Sequence, residues 1–114
     1  MNSRDRAILS KIIDEADIVS KLLQGIDDRG FLTNEEKMRA VCMTLINIGE
    51  LVKNITDVLQ EKHDNIPWKD LAGLRDVTAH AYFTLRMQDI WIYAAVELPI
   101  HAKLIKEILD EWDS

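Results

Sequence analysis

Apolar residues three and four positions apart recur along nearly the whole 114-residue chain, and that periodicity leaves few folds open. In residues 4–26, Ile8, Ile12, Ile13, Ala16, Val19, Leu22, Leu23 and Ile26 draw a single stripe along an amphipathic helix, and Gly25, Asp27, Asp28 and Gly30 write its stop. Thr33-Asn34-Glu35-Glu36 has the form of a capping box, with Thr33 accepting from an orphan backbone N–H and Glu36 reaching back. A second long helix is therefore expected from Thr33, its stripe of Met38, Val41, Leu45, Ile48, Val52, Ile55 and Leu59 running to about Lys62. His63-Asp64-Asn65-Ile66 reads as a connection, and Pro67 suits the first turn of a third helix that continues through Trp68, Leu71, Leu74, Val77 and Phe83. A fourth runs from about Gln88 to Asp110 through Trp91, Ala94, Ala95, Leu98, Ile105 and Ile108. Pro99 inside it lacks a backbone donor and crowds the turn before it, so a kink is expected near Ala95. These readings predict an all-α, up-and-down helical bundle of four to five helices, one domain over residues 1–114, with no strand pattern, repeat or Gly-rich loop.

Composition narrows the setting. With 47% apolar residues the chain can bury a core without staples, and the lone Cys42 permits no intrachain disulfide, which suits a reduced, cytoplasmic compartment. The first ten residues are polar and charged, so no signal peptide is expected, and the apolar stretch at 90–100 is interrupted by Glu97 and too short for a membrane span. A net charge of −6 argues against coating nucleic acid through many phosphate contacts, but leaves room for a local cationic spot that engages one phosphate.

Arg75-Asp76-Val77-Thr78-Ala79-His80-Ala81-Tyr82 offers such a spot. At about 100° per residue, Arg75 and Tyr82 point within about 20° of one another, and Asp76 and His80 share the adjoining stripe at (i, i+4) spacing. Arginine presents a permanent, planar charge that fits two phosphate oxygens, and histidine exchanges protons near neutrality. RNA carries its own nucleophile in the 2′-hydroxyl, so Arg75 could hold a scissile phosphate while His80 serves as general acid or base, with no metal required. Concerted proton transfer wants two such groups and the octapeptide has one histidine. A two-fold dimer would supply the second. Asp76 either orients His80 or pairs with Arg75 and mutes it.

Elsewhere the signals are weaker. Glu97 and His101 have the spacing of half a metal site without a second half, and read as a solvated helix face. His63 reads as an exposed loop residue, Cys42 as a small core residue, Trp68 and Trp91 as core or interface anchors, and Asp110, Glu111 and Asp113 as a solvated tail. Gly49, inside the second helix, is expected to admit the close approach of another backbone.

The spacing Arg75-x4-His80-x-Tyr82, with Ile48-Gly49-Glu50 upstream, Ile66-Pro67-Trp68 just before and Phe83 just after, resembles the HepT-like toxins, a branch of the HEPN superfamily. The likeness spans residues 33–109. It implies a homodimeric all-α bundle whose paired motifs form a metal-independent endoribonuclease site for RNA such as tRNA or mRNA, with no cofactor. It further implies the toxin half of a type VII toxin–antitoxin pair, neutralised by a cognate minimal nucleotidyltransferase through binding or AMP transfer. Arg75 and His80 inherit the catalytic roles, Asp76 a supporting one, and Tyr82 that of AMP acceptor. Two positions depart from the pattern: Asp76 stands where Asn is frequent, and Ala81 where an acidic residue is common. The alternative is a non-catalytic bundle that uses Arg75 to hold a nucleotide or a partner.

Overall fold

The first four helices each begin where a short polar side chain accepts from an unpaired N–H. In the computed structural model, which describes residues 2–83 and 86–113 except for the side chains of Val77, Ala81, Tyr82 and Phe83, α1 spans Ser3–Leu23 and starts at Asn2, whose side chain accepts from the Asp5 N–H. Gly25 then turns the chain at φ 77°, a conformation that favours glycine. The expected stop is thus present, but Asp27 also accepts from the Gly30 N–H and opens a short α2, Asp28–Leu32, that the periodicity did not reveal.

The second long helix is capped one residue later than expected and ends ten residues earlier. Asn34, not Thr33, caps α3 (Glu35–Val52), accepting from the Lys37 N–H, while the Thr33 hydroxyl turns back to the Arg29 carbonyl at 2.8 Å. After Val52 the chain breaks, and Thr56 caps a separate α4, Asp57–Lys62. The break is held from outside: the buried Asp5 accepts from the Thr56 N–H at 3.0 Å and from its hydroxyl at 2.6 Å. Ile55 and Leu59 keep the helical period across this break because both helices face the same core, which is why the pattern read as one helix.

The third helix is likewise two. α5 covers Trp68–Ala72 and α6 covers Leu74–Phe83, with Gly73 between them and Pro67 as the N-terminal cap residue. The fourth region contains α7 (Met87–Ile92), a π-helical turn (Tyr93–Glu97) and α8 (Leu98–Asp113). The π turn is the form taken by the disruption expected near Ala95. Pro99 cannot donate to the Ala95 carbonyl, and one residue earlier the Leu98 N–H reaches back five residues to Tyr93.

Among the described residues there is no strand, and the helices pack α1 on α3 and α8, and α3 on α5 and α6, as an all-α bundle. The core runs through Leu9, Ile12, Phe31, Leu45, Ile48, Leu71 and Ile105. Arg6 closes the two ends of the chain with a bidentate pair to Asp113, its nitrogens 2.7–2.9 Å from the carboxylate. Among the described residues, no helix is long and apolar enough to cross a membrane.

Candidate functional site

The octapeptide lies on α6, and α6 is held against α3 by an approach that only glycine permits. A Cβ built on Gly49 would stand 2.8 Å from the Arg75 backbone nitrogen and 3.2 Å from the Ala72 carbonyl oxygen. The absent side chain lets the first turn of α6 sit directly on α3, as expected of Gly49.

That contact orients Arg75. The next residue along α3, Glu50, reaches the Arg75 guanidinium at 2.7 Å, and both side chains remain about half exposed. Asp76 stands at the edge of the same group, 4.0 Å from the Arg75 Nε. Among the described residues, Arg75 therefore has one close carboxylate and one loose one. Sequence reasoning named Asp76 as its possible partner and quoted Glu50 only as part of a pattern. The missed signal was Gly49-Glu50 read as a unit: a glycine that admits a helix, followed by a carboxylate aimed at what it admits.

His80 is exposed on α6, and Thr78 between them is fully buried on the core side. Tyr82 follows on the same helical backbone, and its side chain lies outside the described residues. Asp76 and His80 line one wall of a groove of about 560 Å³ whose other wall is α7 and the π turn. The buried Leu74 and Ile90 form its floor, Tyr93 belongs to that second wall, and the exposed Asp76, Arg86, Asp89 and Glu97 stand at its rim. Arg86 pairs with Asp89 at 3.0 Å. The Tyr93 hydroxyl meets His101 Nδ1 at 3.0 Å, so its ring faces the groove while its polar end is engaged elsewhere. Burial first, then the carboxylates of Glu97 and Asp70, push the Tyr93 phenol above its ordinary range and keep it neutral. A groove of about 580 Å³ between α1 and α8, edged by Lys103 and Lys106, contains none of the octapeptide.

The remaining candidates fall into place by their contacts. Cys42 is buried against Met87, and burial pushes its thiol up to about 11, as befits a core residue. Trp68 is buried with its indole N–H on the His63 carbonyl at 2.9 Å, and Trp91 packs on Phe31 with ring centroids 5.6 Å apart. His63 is not an exposed loop residue: it ends α4 half-buried, with Nε2 enclosed and unbonded among the described residues. His101 is engaged by Tyr93, and among the described residues no three His, Cys, Asp or Glu side chains gather as a metal-binding group would.

Comparison with known proteins matches the family described as ribonuclease HepT-like over residues 12–108. The chain belongs to the HepT-like ribonuclease family. A candidate RNase of Caldanaerobacter subterraneus subsp. tengcongensis is 36% identical over 106 residues, covering 93% of this chain and 95% of that protein. One of several candidate RNases of Methanocaldococcus jannaschii is 34% identical over 112 residues, 97% of each chain, and a candidate ribonuclease HepT of Thermococcus cleftensis is 28% identical over 99 residues, 87% and 90%. No solved structure matches. In this HepT-like chain, the matched segment contains Gly49, Glu50, the octapeptide and every residue lining the groove beside His80.

Proposed function

We propose that this HepT-like ribonuclease is a type VII toxin, a metal-independent endoribonuclease that acts in the cytoplasm as a homodimer and is neutralised by a cognate minimal nucleotidyltransferase. One observation carries this reading: Arg75 is seated on α3 by Gly49 and oriented by Glu50, on the same helix as a surface His80 that lines a groove. In the reaction, the RNA 2′-oxygen bonds to phosphorus as the bond to the 5′-oxygen breaks. One His80 takes the 2′ proton, the His80 of a second copy protonates the departing oxygen, and Arg75 stabilises the charge on the crowded phosphorane. Ile92, Val96 and Ile100, exposed by 44%, 57% and 58% at four-residue intervals, support dimerisation, since a second copy would cover them.

Tyr82 is the proposed AMP acceptor. Seven residues separate it from Arg75 in the sequence, so by ideal helical period a phosphate attached there would fall on the arginine's flank and draw off its charge.

The test is cleavage of total RNA and tRNA in EDTA. The wild type is expected to cut, and His80→Ala to cut about 10²–10⁴-fold more slowly. Equal rates would overturn the mechanism, and intact RNA with an Arg75-dependent rise in melting temperature on adding nucleotide would favour the binding module. Mass spectrometry of protein co-expressed with the antitoxin is expected to find AMP on Tyr82. An unmodified tyrosine in a neutralised complex would leave inhibition by binding alone.

A further inference from the structure

The groove beside His80 has a composition that a phosphate site does not need. Its floor is apolar, its wall is an aromatic ring, and its rim holds the carboxylates of Asp76, Asp89 and Glu97 against the single guanidinium of Arg86. Such a rim repels RNA phosphates. It suits a nucleobase, which offers two apolar faces and, in guanine, adenine and cytosine, an exocyclic amino group that donates to a carboxylate. The volume of about 560 Å³ lies within the range of pockets that hold small molecules and exceeds what one base requires.

The carboxylates are not equivalent. Asp89 is engaged by Arg86, and Asp76 stands by Arg75. Glu97 is exposed and makes no hydrogen bond or ion pair among the described residues. It sits at the end of the π turn, with Tyr93 at the beginning, and both face the groove. π-Helical turns are frequent at functional sites, and this one brings an aromatic wall and an available acceptor to the same cavity as His80.

We infer that this groove holds the base next to the scissile phosphate and that Glu97 reads it, accepting from the exocyclic amino group of guanine, adenine or cytosine and so disfavouring uracil. The inference rests on the ribonuclease reading and deepens it into a substrate preference. Tyr93 and Ile90 contact the base from the apolar side of the groove.

The experiment uses the full chain and short RNAs identical except for G, A, C or U beside the cleaved bond. The amino-bearing bases are expected to be cut at least about tenfold faster in kcat/KM than U, which corresponds to about 1.4 kcal/mol of discrimination. Glu97→Ala is expected to bring the ratio below about threefold, chiefly through slower cleavage of the substrates with amino-bearing bases. A wild type with no base preference, a preference unchanged in Glu97→Ala, or an equal fall on all four substrates would each overturn the inference while leaving the ribonuclease reading standing. Absence of cleavage in the wild type, equal to that of His80→Ala, would overturn both.

Discussion

The Glu50 carboxylate lies 2.7 Å from the Arg75 guanidinium across the contact of α3 with α6, and it is the closer of the two acids that face that arginine. Because both partners are about half exposed, the pair contributes only about 0–1 kcal/mol to stability. Its consequence is orientation. Glu50→Gln is expected to leave the melting temperature nearly unchanged while lowering RNA cleavage about tenfold, through loss of about 1.4 kcal/mol of transition-state stabilisation. A variant that melts early but cleaves normally would show that the pair is structural.

Gly49→Ala sets two effects against each other. Alanine favours a helix interior by about 1 kcal/mol over glycine. The added Cβ, however, would meet the Arg75 nitrogen at 2.8 Å and the Ala72 oxygen at 3.2 Å, and both are backbone atoms that cannot swing aside. Overpacking costs about 1–3 kcal/mol, so the clash wins, and α6 must shift with Arg75 on it. Urea denaturation is expected to show a lower midpoint, accompanied by reduced cleavage. A midpoint at or above wild type would contradict the close approach.

Thr78 is completely buried on α6, and among the described residues its Oγ1 has no hydrogen-bond partner. Replacing it by valine removes an unsatisfied hydroxyl and keeps the shape. Thr78→Val should stabilise the fold by about 1 kcal/mol, measured as a shift of the urea midpoint at constant m-value. Destabilisation would mean that the hydroxyl is used.

Cys42 confers an alkaline sensitivity. Its thiol ordinarily titrates near 9.0 and in the fold near 11, so the folded state holds the proton more tightly. The stability this represents is fully present below pH 9.0 and is lost as pH rises toward 11. Tyr93, whose phenol is also shifted upward, adds to the loss in the same direction. Urea midpoints between pH 8 and 11 should fall more steeply for wild type than for Cys42→Ala, and identical slopes would refute the assignment.

The exposed residues Val96 and Ile100 offer a test of assembly. Val96→Asp with Ile100→Asp is expected to yield a folded monomer by light scattering, with unchanged helicity and cleavage reduced at least about 100-fold, because each monomer would retain one His80. A dimer that persists would move the interface to another face.

The helical class was legible because a helix exposes its period to a one-dimensional reading: Ile8 to Ile26, Met38 to Val52 and Trp91 to Ile108 each keep to spacings of three and four. Boundaries were legible only where chemistry is local. Gly25 and Pro99 acted where expected, since each constrains its own backbone or that of the turn before it. The break between Val52 and Asp57 was hidden because Ile55 and Leu59 stay in phase with the stripe, and what ends the helix there includes Asp5, 51 residues away. The capping box at Thr33 failed for a related reason: Asn34 offers an equally good acceptor, and α2 supplies carbonyls that engage the threonine.

The site divides along the same line. The sequence by itself determined the residue types, the spacing of Arg75, His80 and Tyr82 on one helix, and the family, all of which are properties of neighbours along the chain. Only the tertiary structure decided that Glu50 rather than Asp76 lies closest to Arg75, that Gly49 sets the distance between their helices, and that Tyr93 and Glu97 share a groove with His80. Those relations join α3, α6 and the π turn, and no local period records which helices will touch, because that is settled by how their side chains fill a common core.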